Sequence, residues 1–235
     1  GKGYARGMPT LRIIFVLIAA APPISPTSPP RDAPEIHPDY EHVVISKDSE
    51  FEACGVADFD RDGDLDIVCG DAWYEAPDWT RHPIGLVRSV GGYRVDFADV
   101  PMDVDGDGWI DVVSCSWHDR GVFWRQNPGP TGGDWKMRII DLPGNMETAI
   151  GVDVDGDGQL DFLPNTVNTT VWYSLQNGRL VPHVISPDQG GHGVGVGDVD
   201  GDGWTDLYIV QGGSREGSQP LGNQLWRNLG DGTFE

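Results

Sequence analysis

Residues 103–111 read Asp-Val-Asp-Gly-Asp-Gly-Trp-Ile-Asp, and three further segments of the chain repeat this acidic pattern. Each copy has aspartates at its first, third, fifth and ninth positions and a glycine at its sixth. Because unpaired carboxylates are costly to crowd or bury, such a loop indicates a hard cation that takes about six to eight oxygen ligands. The other copies occupy residues 58–66, 153–161 and 198–206.

The loops begin 45 to 50 residues apart, a spacing typical of the blades of a β-propeller. Small residues precede each loop, and an apolar stretch, a stretch with tryptophan and an outer stretch follow it. Each unit is therefore predicted to be four antiparallel strands, with the acidic loop between the first and second. We predict an all-β fold, a β-propeller with about four such blades in this chain. The recurring tryptophans, predicted to pack between blades, are Trp73, Trp124, Trp172 and Trp226.

Both ends of the repeat region bear on the number of blades. The segment His42-Val-Val-Ile-Ser is similar to residues 183–186, so we expect it to form an outer strand ahead of the first inner strand. The last residues read as the middle of another outer strand. We therefore expect a fragment of a larger, seven-bladed ring, with a complete four-bladed protein as the alternative.

The N-terminal region reads as a targeting segment. Arg12 precedes an apolar run at residues 13–21, which is too short to span a bilayer and has the length of a signal-peptide core. We expect a signal peptide and proline-rich linker at residues 1–38 and the repeats at 39–235. The protein would then be exported (periplasmic, cell-surface or secreted), with no stable membrane span after cleavage. A disordered segment or an uncleaved anchor is the alternative.

Composition narrows the range of partners. Asp and Glu number 37 against 16 Lys and Arg, and the four loops hold 17 of the acids. A nucleic-acid surface needs clustered basic residues, so no nucleic acid is expected as a partner. The three cysteines do not form a complete disulfide set. Cys54 and Cys69 lie in neighbouring predicted strands and are either paired or free.

The loop pattern, the small-residue strands before it and the segment Asn228-Leu-Gly-Asp-Gly-Thr-Phe together resemble FG-GAP/VCBS repeats. These are calcium-binding blade repeats that also occur in the propellers of integrin α-subunits. The resemblance extends over residues 42–235 and implies a calcium-binding β-propeller. One fold of this kind carries many functions, so the resemblance does not identify a ligand.

The resemblance also implies the ligand set of about four calcium ions. We expect each ion to tie the first two strands of a blade together. The implied side-chain ligands are Asp58, Asp60, Asp62, Asp66, Asp103, Asp105, Asp107, Asp111, Asp153, Asp155, Asp157, Asp161, Asp198, Asp200, Asp202 and Asp206. The implied backbone carbonyl ligands, at position 7, are those of Asp64, Trp109, Gln159 and Trp204.

An EF-hand is the rival interpretation of these loops. It requires a glutamate at position 12 and a helix on either side. Position 12 is Cys69, Ser114, Pro164 or Ile209 here, and no helical periodicity follows. Magnesium is disfavoured as well, because it keeps several waters rather than an all-protein cage.

A second group of residues lies six positions before the first aspartate of each loop: Glu52, Phe97, Glu147 and His192. These positions are expected to open the innermost strands, near one mouth of a central channel. Glu52, Glu147 and His192 are candidates for a catalytic metal or polar-substrate site. A water-filled polar channel is the alternative. The run Gly191-His192-Gly193 is similar to a stretch in sugar-converting propellers of the aldos-2-ulose dehydratase type.

Our first hypothesis is an exported calcium-binding propeller that binds a surface protein or a polysaccharide. The alternative is a sugar lyase or dehydratase with its site at the channel mouth, and a third possibility is a scaffold for a partner domain. His118, in a polar loop, is a further candidate site residue. His82 and His183 are expected on the surface of outer strands. Trp109 and Trp204 lie in the acidic loops, where their rings would be free to stack on sugars.

Overall fold

The computed structural model describes residues 42–211 and 222–235. The predicted signal peptide and linker lie outside the described residues. Within these residues no helix is long and apolar enough to cross a membrane. The helical content of the described part is one 3-10 turn, Gly129–Thr131.

The strands form four consecutive antiparallel sheets, and strands that follow one another in sequence lie side by side. The first sheet contains β1 (Gly55–Ala57), β2 (Asp66–Cys69), β3 (Ala72–Glu75) and β4 (Thr80–Pro83). A short hairpin of β5 (Ser89–Val90) and β6 (Tyr93–Arg94) follows. The second sheet contains β7 (Ala98–Met102), β8 (Asp111–Cys115), β9 (Val122–Gln126) and β10 (Lys136–Asp141).

The third sheet has four strands and the fourth has three within the described residues. The third contains β11 (Ala149–Val152), β12 (Asp161–Pro164), β13 (Thr170–Leu175) and β14 (Leu180–Ser186). The fourth contains β15 (Gly193–Gly197), β16 (Asp206–Val210) and β17 (Gln224–Trp226). The predicted all-β fold of four-stranded antiparallel blades is thus confirmed, with each acidic loop joining the first two strands of its sheet. The number of blades in a complete ring stays a prediction.

Apolar side chains between neighbouring sheets form the core. Val68 and Trp73 of the first sheet pack with Val112 of the second. Leu163 and Trp172 of the third sheet pack in the same way with the fourth. Fully burying such a side chain contributes about 1.5 to 3 kcal/mol, so these contacts hold successive sheets together.

In the first three sheets, an imidazole or guanidinium group from the adjacent outer strand packs on the ring of the blade tryptophan. His82 stacks on Trp73 with ring centroids 4.4 Å apart, and His183 stacks on Trp172 at 4.2 Å. In the second sheet the guanidinium of Arg138 takes this place over a tryptophan, 4.4 Å from the ring centroid. The expectation that the two histidines are plain surface residues was therefore incomplete, because one face of each ring packs on indole.

Trp226 does not occupy the position of the other blade tryptophans. Trp73 lies across from Val68, the second residue after the ninth aspartate of its loop. Trp226 instead lies across from Leu207, the first residue after the ninth aspartate of its loop. Its side chain therefore turns toward the third sheet, where it packs with Leu163 and Trp172. The position equivalent to the other tryptophans is taken by Leu225, which is 42% exposed.

The face of the fourth sheet that looks away from the third is open in the described part of the chain. Position 2 of the loop is 1% exposed in Phe59, Val104 and Val154, but Val199 is 61% exposed. Tyr208, equivalent to the fully buried Val68, is 41% exposed. The side chains on this face are thus of the type that pack against a neighbouring blade.

The predicted strand at His42–Ser46 is wrong, since residues 42–54 carry no strand. Val43 and Val44 are half exposed. A strand is stable only where a neighbouring edge takes its backbone hydrogen bonds, and no described strand pairs with this segment.

All three cysteines are free thiols. Cys54 is exposed and Cys69 is half-buried, with its sulfur 3.6 Å from the Ser49 hydroxyl oxygen. Cys54 and Cys69 are therefore unpaired, which is one of the two alternatives that the sequence left open.

A buried polar network stands at the start of the second sheet. Arg125 donates to Asp96 Oδ2 at 3.0 Å and to Asp99 Oδ1 at 3.3 Å. Asp99 also accepts from the Ser114 hydroxyl at 2.7 Å and from the Gly70 amide at 2.9 Å. Burial, reinforced by the neighbouring charge of Asp99, raises the pKa of Asp96 well above its ordinary value. One arginine thus balances one carboxylate, and Asp96 favours its protonated form.

The network makes stability depend on pH with a definite sign. The pKa of Asp96 is higher in the folded state, so its contribution is present at low pH and is lost as pH rises through the folded-state pKa. We expect Asp96→Asn, which is neutral at every pH, to reduce the loss of stability between pH 5 and pH 8 by at least about 1 kcal/mol.

Urea unfolding at both pH values, with calcium saturating, measures this effect. Asp78→Asn, at an exposed position, is the matched control and should leave the pH dependence unchanged. An Asp96→Asn protein with the pH dependence of the unmodified chain would contradict the assignment.

Candidate metal centres and the cavity beside the inner strands

Each acidic loop draws carboxylate oxygens from three aspartates to within 4.8 Å of one another. In the second, third and fourth loops these come from positions 1, 3 and 9, and in the first loop from positions 1, 3 and 5. The groups are Asp58, Asp60 and Asp62; Asp103, Asp105 and Asp111; Asp153, Asp155 and Asp161; and Asp198, Asp200 and Asp206.

The loop backbone holds the first aspartate in place. In the second loop Asp103 Oδ2 accepts from the amide of Gly108 at 2.9 Å, and its Oδ1 accepts from Gly106 at the same distance. Gly108 has a φ of 86°, a left-handed conformation that glycine adopts without strain. The same bond from the position-6 glycine recurs in the other three loops at 2.9 to 3.1 Å.

The ninth aspartate lies at the buried end of each loop. Asp111 is fully buried, and its two oxygens accept from the amides of Asn127 at 2.7 Å and Val104 at 3.1 Å. Burial raises the pKa of Asp111 to about 6, and it does the same for Asp161. These hydrogen bonds tie the loop to the third strand of its sheet as well as to itself.

The donor set fits a hard dication. Asp58 Oδ1 is buried and has no hydrogen-bond partner among the described residues, although the carboxylate faces Asp60 and Asp62. Crowded carboxylates repel one another by roughly 1 to 4 kcal/mol per pair at about 4 Å, and a dication removes that cost. All-oxygen ligands of this kind suit calcium.

The remaining predicted side-chain ligands are also held by backbone amides. Asp107 Oδ1 accepts from the amide of Trp109 at 2.8 Å, and the third and fourth loops repeat this contact between positions 5 and 7. Asp66 accepts from the amides of Phe59 and Ala76, both at 2.9 Å. Their roles as ligands, and those of the position-7 carbonyls, stay predictions.

The second group of candidate residues lies just before the first strand of each sheet, as expected. Glu52, Phe97, Glu147 and His192 each precede the first strand of their sheet by one to three residues. Three of them, together with aromatic side chains, line a cavity of about 330 Å³. Its lining residues are Glu52, Tyr93, Phe97, Trp117, His118 and Glu147.

His192 joins this cavity through Glu147. The imidazole Nδ1 lies 3.1 Å from Glu147 Oε2, and the Trp117 ring stacks on the imidazole with centroids 5.8 Å apart. Asn165 Oδ1 accepts from the amide of Glu147 at 2.8 Å, and Asn145 donates to the Trp117 carbonyl at 2.8 Å. The carboxylate, imidazole and indole are thus held together from the third, fourth and second sheets, respectively.

Sequence reasoning missed Tyr93, which comes from the β5–β6 hairpin that no repeat signal predicts. Trp117 lies in the loop between β8 and β9. His118, a separate candidate in the sequence, lies in the same cavity and contacts Tyr93 and Phe97. Aromatic faces beside carboxylates and imidazoles are able to stack on a polar ligand and accept its hydroxyl hydrogens.

Residues 103–163 match the FG-GAP-like repeat family, which confirms the predicted resemblance over the second acidic loop and the segment that leads through the third. No curated protein matches the chain. The fold also excludes the EF-hand interpretation of the acidic loops, because strands and not helices adjoin them.

Two solved structures are similar to this chain at low identity. A lectin of Agrocybe aegerita, described as specifically recognising non-reducing terminal N-acetylglucosamine, is 19% identical, with a TM-score of 0.47. The match covers 79% of this chain and 51% of the lectin, so the chain spans about half the lectin's length. The Tc holotoxin pore of Photorhabdus luminescens is 16% identical with a TM-score of 0.30, over 81% of this chain and 12% of that one.

Proposed function

We propose that this chain is a calcium-binding array of propeller-type blades that works outside the cytoplasm as a binding module for a polysaccharide or a surface protein. The observation that carries the proposal is the fourfold recurrence of one carboxylate cluster at the inner hairpin of every sheet. One calcium ion per loop would cancel the repulsion within each cluster.

Export is consistent with that role for calcium. Extracellular calcium sites are typically weak, with Kd values of about 0.1 to 1 mM, and fill only where calcium is plentiful. The apolar run at residues 13–21 reads as a signal-peptide core, which would deliver the protein to such a compartment.

The cavity beside the inner strands is the proposed ligand site. It joins the faces of Tyr93 and Trp117 to the carboxylates of Glu52 and Glu147. Sugar rings present apolar C–H faces for stacking and hydroxyl groups for carboxylates, so a saccharide satisfies both kinds of side chain.

A glycan array probed with and without calcium tests the binding role. We expect Trp117→Ala to weaken binding of any captured glycan at least about tenfold, because a central tryptophan commonly dominates an interface. Trp79→Ala is the matched control, since this half-buried tryptophan lines a different cavity. Equal binding by the Trp117→Ala protein and the unmodified chain would contradict the assignment of the site.

The Glu147–His192 pair favours one alternative, a sugar lyase or dehydratase at the same cavity. A carboxylate–imidazole pair beside a bound sugar is able to remove a proton and return it to a leaving oxygen. Mass spectrometry of the captured glycans distinguishes the two proposals: intact glycans support the binding module, and products that have lost water or been cleaved with a new double bond support the enzyme.

A further inference from the structure

One position distinguishes the four metal loops from one another. This position lies across from the ninth aspartate, at the end of the third strand of each sheet. It is found by extending the register of the second and third strands by one pair. Its side chain is anionic in the first sheet, neutral in the second and third, and cationic in the fourth. The residues are Glu75, Gln126, Ser174 and Arg227.

In the fourth loop this side chain occupies a predicted calcium ligand. Arg227 donates through Nε to Asp200 Oδ2 at 2.7 Å, and its Nη2 contacts the same oxygen. Asp200 is the third-position aspartate of the loop and belongs to its carboxylate group. The guanidinium group of Arg227 is therefore paired with Asp200 Oδ2, one of the oxygens that a bound dication would need.

The second loop has the same contact without the charge. Gln126 donates through Nε2 to Asp105 Oδ2 at 2.5 Å, and Asp105 is the third-position aspartate there. The two loops also match in having four aspartates and a tryptophan at position 7. The two positions therefore differ by one unit of charge. The second loop also has cationic neighbours, since Gln126 Oε1 accepts from Arg138 at 3.0 Å and Arg61 lies over the Trp109 ring.

The first loop lies at the opposite extreme. It has a fifth aspartate, Asp64, whose charge is offset by Arg61 at position 4, and Glu75 adds a further negative charge. The local charge at the first loop is thus more negative than at the fourth, where Arg227 contacts Asp200.

We infer that Arg227 is a built-in counter-ion that weakens calcium binding at the fourth loop, so that the four sites fill in order of local charge. The first loop fills at the lowest calcium concentration and the fourth at the highest, because calcium affinity follows the charge of the ligand set. The inference rests on the proposed calcium-binding role. Its new content is that the loops are unequal and that one residue sets the weakest.

Terbium luminescence separates the second and fourth loops, because each has its own tryptophan sensitiser at position 7. Each of these rings also lies beside the preceding loop, Trp204 beside Gly156 and Trp109 beside Arg61, so that loop is disabled as well. In a Trp109→Phe, Asp153→Asn background the sensitised emission reports the fourth loop, and in a Trp204→Phe, Asp58→Asn background it reports the second. We expect a midpoint roughly tenfold higher for the fourth loop, the effect of one nearby charge on a multivalent cation in a wet site. Calcium should displace terbium from the fourth loop at a lower concentration than from the second loop.

Substitutions at the distinguishing position test the cause. Arg227→Gln should lower the fourth-loop midpoint to within about twofold of the second, and Gln126→Arg should raise the second-loop midpoint by roughly tenfold. Arg81→Gln is the matched control, because it removes an exposed arginine paired with Asp71, outside the loops. It should change neither midpoint.

The outcomes separate this inference from the proposed function. Emission from neither loop would contradict calcium binding and with it the inference. Emission with equal midpoints, or midpoints that ignore both substitutions, would contradict the inference alone. Arg227 also contacts Glu235 at 3.0 Å, so near-ultraviolet circular dichroism should confirm the fold of Arg227→Gln. If that variant unfolds, the Gln126→Arg result decides.

Discussion

We expect chelation of calcium to lower the melting temperature of this protein by about 20 °C or more. At 10 mM calcium, roughly 100 times a Kd of about 0.1 mM, each of the first three loops would add about 2.7 kcal/mol to folding stability, and the fourth, with a Kd roughly tenfold higher, about 1.4 kcal/mol. The four loops together would add about 9.5 kcal/mol. A protein of this length shifts its melting temperature by about 2 to 4 °C per kcal/mol.

Thermal unfolding in 10 mM calcium and in excess EDTA measures the difference. Refilling the chelated protein with magnesium is the control, and it should restore less than half of the lost stability because magnesium resists an all-protein cage. An unchanged melting curve in EDTA would contradict a stabilising role for the loops.

Replacing Asp111 with alanine destabilises the calcium-loaded protein by about 3 to 5 kcal/mol. Both of its oxygens accept backbone hydrogen bonds in a fully buried site, from Asn127 and Val104. Each buried amide left unpaired costs about 1 to 3 kcal/mol, and the loop also loses a predicted ligand. Urea unfolding in saturating calcium provides the measurement.

Asp107→Ala is the matched control, since it removes an aspartate from the same loop. Asp107 is also a predicted ligand, but it is exposed and accepts one bond, from Trp109. Beyond the lost ligand that both variants share, its replacement should cost about 1 kcal/mol. If the two substitutions cost the same, Asp111 does not hold the loop to the sheet in the way its contacts indicate.

The repeated parts of the fold were predictable from sequence. The acidic loops recur at nearly constant spacing, and small residues before them with apolar residues after them specify the first two strands of every sheet. The position-6 glycine, as in Gly108, follows from the backbone turn that lets the loop amides reach Asp103. Local chemistry determines these features, so a single repeat is enough to infer them.

The register of the later strands was not predictable. The separation between the ninth aspartate and the blade tryptophan is 7 residues for Trp73 but 20 for Trp226. Hairpin length sets strand register, and a slip of one residue turns a side chain to the opposite face. Trp226 therefore packs against the third sheet although its sequence neighbourhood resembles the other repeats.

The candidate cavity was predictable only in part. Glu52, Glu147 and His192 share one position of the repeat, which is why they stood out in the sequence. Tyr93 comes from a hairpin between repeats and Trp117 from the loop between β8 and β9, and tertiary packing brings both to Glu147. The strand expected at His42–Ser46 failed for a related reason, because a local resemblance does not supply a pairing partner.

The calcium content of the purified protein tests the central claim most directly. After chelation, the protein is dialysed to equilibrium against 10 mM calcium in high sodium chloride, and elemental analysis should find an excess of about four calcium ions per chain in the protein compartment. Combined Asp103→Asn and Asp111→Asn substitutions should remove one ion and leave the rest. A calcium content near zero in the intact, folded chain would contradict the account.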